Sequence, residues 1–186
     1  MGNATMLTAV ERAYAAGKLE TTKEKLLAEL EGLTQSQIAF KPNPENWNIS
    51  EILEHTALGE NGIWQAIRQG LTTDTDPSRR AEVKATDEEV YNRTSSRNVK
   101  ATSPEVIKPV GKFPNAEAAI AFFSKRRNAT TDYVNTTEDD LRNRYWKHPS
   151  AGVLDLYQTI LFIAGHSERH TAQIIELKQH EAFPQQ

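Results

Sequence analysis

Cysteine is absent from this chain of 186 residues. That absence removes disulfides, thiolate-bound zinc, iron–sulfur clusters, CxxC redox motifs and any protein thiol nucleophile. Excess charge is nearly absent too: 22 Lys and Arg stand against 25 Asp and Glu, a formal net charge of −3. No whole-molecule field therefore gathers nucleic acid or an anionic membrane surface. No apolar run approaches the roughly 20 residues that span a bilayer, and the opening residues lack a basic flank followed by an apolar stretch. Met1-Gly2 opens like a myristoylation signal, but Met6 stands where Ser or Thr is wanted. These absences predict a cytoplasmic protein with a small-molecule substrate and neither nucleic-acid nor membrane partners. The length predicts one domain over 1–186 that needs no covalent or metal staple for its core.

What is present is helical periodicity in four segments, separated by stretches rich in Pro, Asn, Asp, Ser and Thr, and this predicts an all-α four-helix bundle. The first segment runs from Gly17 to Leu33, with Leu19, Leu26, Leu27, Leu30 and Leu33 as its stripe. Residues 5–16 add a further helical stretch, with Gly17 as a weak point between the two. Pro42 and Pro44 exclude helix from the following loop. The second helix is predicted over about 49–69, started by Asn48 as N-cap with Glu51 three residues on, or by Ser50 as an alternative cap. Its stripe is Ile49, Ile52, Leu53, Thr56, Ile63 and Ile67. Segment 71–114 is a long irregular connection with Pro77, Pro104, Pro109 and Pro114 and one helix-like patch at 86–97. Connections of that length commonly serve as lids, and Tyr91, Arg93 and Arg97 are available to cover a site. The third helix spans 115–135 with Ile120, Phe123, Arg127, Thr131 and Val134 on one face. The fourth starts at Gly152 or Val153 and reaches Gln179.

Five histidines are the main resource for polar chemistry. His166 and His170 are four residues apart on the fourth helix, so both rings project from one face with Cβ atoms roughly 6 Å apart, within reach of one ion. Five randomly placed histidines would give such a pair about one time in ten, so spacing alone is weak. Context strengthens it: Phe162, Ile163, Ile174 and Leu177 share that side, and two imidazoles in an apolar interior need partners for their ring nitrogens. Glu168 lies about 200° round the helix from the histidine face, so the HSERH run is not a zinc-protease motif. Gln173 is two turns from His166 on the same stripe. His55, on the second helix near the small Gly59 and Gly62, is a core histidine or a third ligand from a facing helix. His148 precedes the fourth helix in a loop and is a rim candidate, and His180 reads as a solvated bystander. Arg127 on an apolar stripe must pair with a buried carboxylate or face the pocket. Glu51 is a neighbour of the metal ligands or an acid favoured by the helix N-terminus.

The segment Glu45-Asn46-Trp47-Asn48-Ile49-Ser50-Glu51-Ile52-Leu53-Glu54-His55, together with His166-Ser167-Glu168-Arg169-His170-Thr171-Ala172-Gln173, resembles the DinB/YfiT superfamily of metal-binding four-helix bundles. The likeness covers nearly the whole chain. It implies a metal triad of His55, His166 and His170, the three that the helix faces select, and a homodimer. It also implies metal-dependent chemistry with a small cellular thiol such as bacillithiol, mycothiol or glutathione as cosubstrate. Three imidazoles with an open position describe a catalytic rather than a structural site.

The functional expectation is therefore a small-thiol-dependent transferase or a hydrolase. Its divalent ion is zinc, with nickel, iron and manganese as alternatives, and Arg127, Gln173 and His148 are pocket candidates. The competing expectation is a non-catalytic metal-binding bundle that acts as sensor, store or structural protein. Because the chain has no cysteine, any thiol in the reaction must arrive as a diffusible molecule.

Overall fold

A computed structural model of the chain describes residues 5–98 and 107–185. The Met1-Gly2 opening and the part of the long connection at 99–106, with Pro104, lie outside the described residues.

The first helix, α1, is one piece, Ala9–Leu30, rather than two stretches meeting at Gly17. Thr8 and Glu11 cap its start reciprocally, and Ala15, Leu19, Thr22 and Leu26 make one buried stripe that passes Gly17 on the inner side. Gly17 itself faces outward with nothing within 4 Å of a Cβ placed on it. Burial of the stripe outweighs the ~1 kcal/mol that glycine costs in a helix interior. The helix stops at Leu30, leaving Leu33 outside it, and the short α2, Gln35–Ile38, follows. The third helix, α3, Ile49–Leu71, begins where expected. Asn48 accepts from the Glu51 N–H at 2.8 Å while the Glu51 carboxylate accepts from the Asn48 N–H.

The described part of the long connection before residue 99 holds more regular structure than its prolines suggest, with a 3₁₀ turn at Pro77–Glu82 and a capped helix α4, Asp87–Ser95. Val90 and Tyr91 of α4 join the core. A Cβ at Gly165 would lie 2.9 Å from both the Tyr91 carbonyl oxygen and the Thr94 Cβ. Only glycine there lets the two backbones approach so closely.

Helix α5, Ala116–Thr136, buries Phe123, Arg127, Thr130 and Val134. Thr130 rather than the expected Thr131 completes the inner face. A hairpin of β1, Tyr145–His148, and β2, Gly152–Asp155, then occupies the place where the fourth long helix was expected to start. Its register pairs Tyr145 with Asp155 and His148 with Gly152. A short apolar stretch such as Val153-Leu154 fits strand or helix equally by periodicity. The boundary is set instead by Asp155, whose carboxylate accepts from the Gln158 N–H at 2.7 Å and caps α6, Leu156–Lys178.

The four long helices form a ring: α1 and α3 each pack on both α5 and α6, and α4 packs along α6. Two apolar clusters fill the interior. One joins Leu19, Ile63, Ile67, Val134, Tyr157, Ile160 and Ile163. The other joins Leu26, Ile52, Ala57, Phe123 and Ile174. In sequence order along every helix, a polar level falls between them: Thr22 on α1, Glu60 on α3, Arg127 and Thr130 on α5, and His166 to Thr171 on α6. His166 and His170 sit at this level, and His55 lies just over a turn before it on α3, between Leu53 and Ala57 of the second cluster.

Candidate metal centre

His55 arrives from α3, and His166 and His170 arrive from successive turns of α6. Among the described residues these are the three whose ligand atoms converge, all within 4.8 Å of one another. The Nε2 atoms of His55 and His166 are 3.2 Å apart. Two nitrogens on a tetrahedral ion at about 2.0–2.1 Å would be separated by roughly 3.3–3.4 Å, so this spacing suits shared coordination. The ring centroids of His170 lie 4.5 Å from His55 and 4.6 Å from His166.

Hydrogen bonds on the far edges of two rings orient them. His55 Nδ1 lies 2.8 Å from the Ile107 carbonyl oxygen, which can only accept. The proton is therefore on Nδ1, and Nε2 carries a lone pair. His170 Nδ1 lies 3.0 Å from Gln173 Oε1, with the same consequence for its Nε2. Burial lowers the pKa of all three, His170 to about 3 and His166 well below the ordinary value, and the neighbouring imidazoles push these two further down. The cluster is neutral at neutral pH, the state in which imidazole binds a metal. The chemistry of the donor set thus fits a divalent cation.

Backbone packing makes room for the site. A Cβ at Gly59 would lie 2.6 Å from His166 Cε1, so the absence of a side chain on α3 admits that ring. Trp47 closes one side, its ring centroid 4.9 Å from that of His55. Beside it lies a cleft of about 260 Å³ lined by Pro42, Trp47, Arg97, Gln173, Leu177 and His180, among others.

The remaining site candidates are placed differently. Arg127 does not face the cleft. It is fully buried and bidentate to Glu60 at 2.8 and 2.7 Å, and it also donates to the Leu19 carbonyl, Thr22 Oγ1 and Ser167 Oγ. Of its two expected outcomes, the buried carboxylate pair is the one observed, because every N–H is drawn to the polar level. Gln173 lines the cleft and holds His170. His148 ends β1 rather than lying in a loop. Its ring is 4.5 Å from that of Phe162, one turn before His166, and its Nδ1 accepts from the Ser150 and Ala151 N–H groups. Glu51 is occupied by Lys41 at 2.8 Å and by its capping bonds, so the helix N-terminus accounts for it. His180, expected as a bystander, lines the cleft against Phe40. Of the residues available to a lid, Tyr91 is in the core, Arg93 is exposed, and Arg97 reaches Glu176 at 2.9 Å beside the cleft.

Sequence reasoning passed over Glu54, although an acid inside the run Ile52-Leu53-Glu54-His55-Thr56-Ala57 was the signal. Its carboxylate is buried and accepts from the backbone N–H groups of Val110, Gly111 and Lys112 at 2.9, 3.1 and 3.0 Å.

The profile of the DinB superfamily matches residues 18–174. YuaE of Bacillus subtilis strain 168, an uncharacterized protein, is 24% identical over 166 residues, which cover 89% of this chain and 95% of YuaE. Among solved structures, YfiT from Bacillus subtilis, a probable metal-dependent hydrolase with an unusual four-helix bundle topology, aligns with a TM-score of 0.63 at 17% identity. The alignment covers 99% of this chain and 95% of that one. This last likeness is one of fold.

Proposed function

We propose, from the premise that the chain belongs to the DinB superfamily, that it is a metal-dependent enzyme whose ion is held by His55, His166 and His170. The observation that carries this reading is the convergence of three imidazoles from two helices, those of His55 and His170 buried and that of His166 half-buried. A divalent ion bound there supplies Lewis acidity that lowers the pKa of a water or a small thiol at an open position. Imidazole donors without a carboxylate favour zinc, with nickel, iron or manganese as alternatives.

The chain's own residues provide the setting. The Ile107 carbonyl and the Gln173 amide fix which ring nitrogen of His55 and His170 faces inward. Trp47 and the apolar cluster around Ile52 and Ile174 limit water on two sides. Gln173 and His180 offer hydrogen-bonding groups to a small substrate in the cleft. With water as nucleophile the reaction is hydrolysis. With a diffusible thiol it is group transfer, and the absence of cysteine makes that thiol external. The description of YfiT as a probable metal-dependent hydrolase supports the hydrolytic branch.

The test starts with elemental analysis of the purified protein and of His170→Ala. About one equivalent of divalent metal in the wild type and little in the variant is expected, and no uptake by either protein after incubation with zinc removes the reading. Simple esters and amides, then electrophiles with a low-molecular-weight thiol, separate the two reactions. A loaded protein inert in both assays identifies a non-catalytic metal carrier.

A further inference from the structure

We infer that Glu54 is a positioning residue for this centre. By gripping the backbone at 110–112 it holds the Ile107 carbonyl against His55 Nδ1 and keeps Nε2 of that ring as the inward-facing atom. The inference rests on the metal reading above and deepens it.

Two adjacent residues of α3 act on one stretch of chain. Glu54 accepts three backbone N–H bonds from consecutive residues, and His55 donates to the carbonyl of Ile107, a short turn upstream. Residues 108–112 are neither helix nor strand, so regular backbone pairing does not fix their position. Gly111, at φ 77°, turns the backbone so that successive N–H groups converge on the carboxylate. Such a concave set of N–H groups binds an anion well, and bonds to an ionised acceptor are about twice as strong as neutral ones. Ile107 also lies over Gly62, where a Cβ would stand 3.9 Å from its Cγ2, so the strap rests along α3.

The link to chemistry is the tautomer. A carbonyl accepts and never donates, so while Ile107 stays in place the His55 proton stays on Nδ1. If the strap drifts, both tautomers become available and the bond that orients the Nδ1 edge of the ring is lost. Outer partners of metal-binding histidines typically carry a 10–100-fold effect on affinity. Glu51, one turn earlier on the same helix, makes its bonds to Lys41 and Asn48 and none to the strap, which makes it the control for loss of a carboxylate on α3.

The experiment compares wild type, Glu54→Gln, Val110→Pro and Glu51→Gln. Glutamine offers one acceptor oxygen where the carboxylate offers two. Proline at 110 deletes one of the three donors without altering α3, so the inference stays testable if Glu54→Gln folds poorly. Two quantities are read: the His55 tautomer by ring nitrogen NMR of metal-free protein, and cobalt(II) affinity by chelator competition. Glu54→Gln and Val110→Pro should mix the tautomers and weaken cobalt binding by roughly 10–100-fold. Glu51→Gln should lower the melting temperature and leave both readouts unchanged. The inference is overturned if Glu54→Gln keeps the wild-type tautomer and affinity, or if Glu51→Gln shifts both equally. If the wild type binds no cobalt, the metal reading fails, while the metal-free tautomer still decides whether Glu54 orients His55.

Discussion

Gly59 shows how much a single missing side chain contributes to this centre. Alanine raises helix propensity by about 1 kcal/mol at an ordinary position. Here its methyl would meet the His166 ring at 2.6 Å, and the ring is the part able to move. Gly59→Ala is therefore expected to fold with a melting temperature close to wild type and to lose most of its metal affinity, measured by chelator competition. The histidines also tie stability to pH. Their folded pKa values lie below the unfolded value, His170 at about 3, because burial disfavours the charged ring. Below about pH 6.5 the unfolded chain takes up protons that the folded chain refuses, so stability present above that pH is lost as pH falls. Through His170 the metal-free protein should lose up to ~1.4 kcal/mol per pH unit between about pH 6.5 and 5, with His55 and His166 acting in the same direction. His170→Gln should give a shallower slope in urea titrations across that window. Carboxylates with lowered pKa, such as Asp87 and Asp140, enter only at lower pH.

Among the elements, the polar level between the two apolar clusters fixes how the helices stand relative to one another. Arg127 on α5 reaches α1 through Thr22, α3 through Glu60 and α6 through Ser167. Arg127→Ala strands a buried carboxylate and should cost about 3–5 kcal/mol, read as a shift in denaturant midpoint. Arg127→Met with Glu60→Leu removes both charges and should recover most of that loss. The sequence made this level half legible. An arginine on an apolar stripe demanded a partner, but nothing in periodicity said that Glu60 would supply it. Asn48 and Glu51 announced the start of α3 because capping is local chemistry, and the i,i+4 spacing of His166 and His170 announced their shared face for the same reason. The hairpin before α6 was hidden because Val153-Leu154 suits either period, and only pairing with Trp146 and Lys147 decides it. Glu54 was hidden because its partners are backbone groups more than fifty residues away.

For the whole molecule, an ion at the centre would join α3 to α6 across a sequence separation of 111 residues. A ligand that binds only the folded chain stabilises it by mass action, about 2.7 kcal/mol at a free concentration of 100 times Kd. For a chain of this size that corresponds to a rise in Tm of roughly 5–10 °C, reversed by chelator. The same rise in His170→Ala would mean that the ion binds elsewhere. The indole of Trp47, packed on His55, gives the molecule an intrinsic light signal at its centre. The other two indoles report different neighbourhoods, Trp64 against Tyr133 and Trp146 against His148. With Trp64 and Trp146 changed to Phe, the emission that remains comes from a ring in contact with a metal-binding imidazole. Open-shell ions such as copper(II) or nickel(II) quench that emission at close range, whereas closed-shell zinc leaves it bright, so occupancy and ion class can be read from one cuvette.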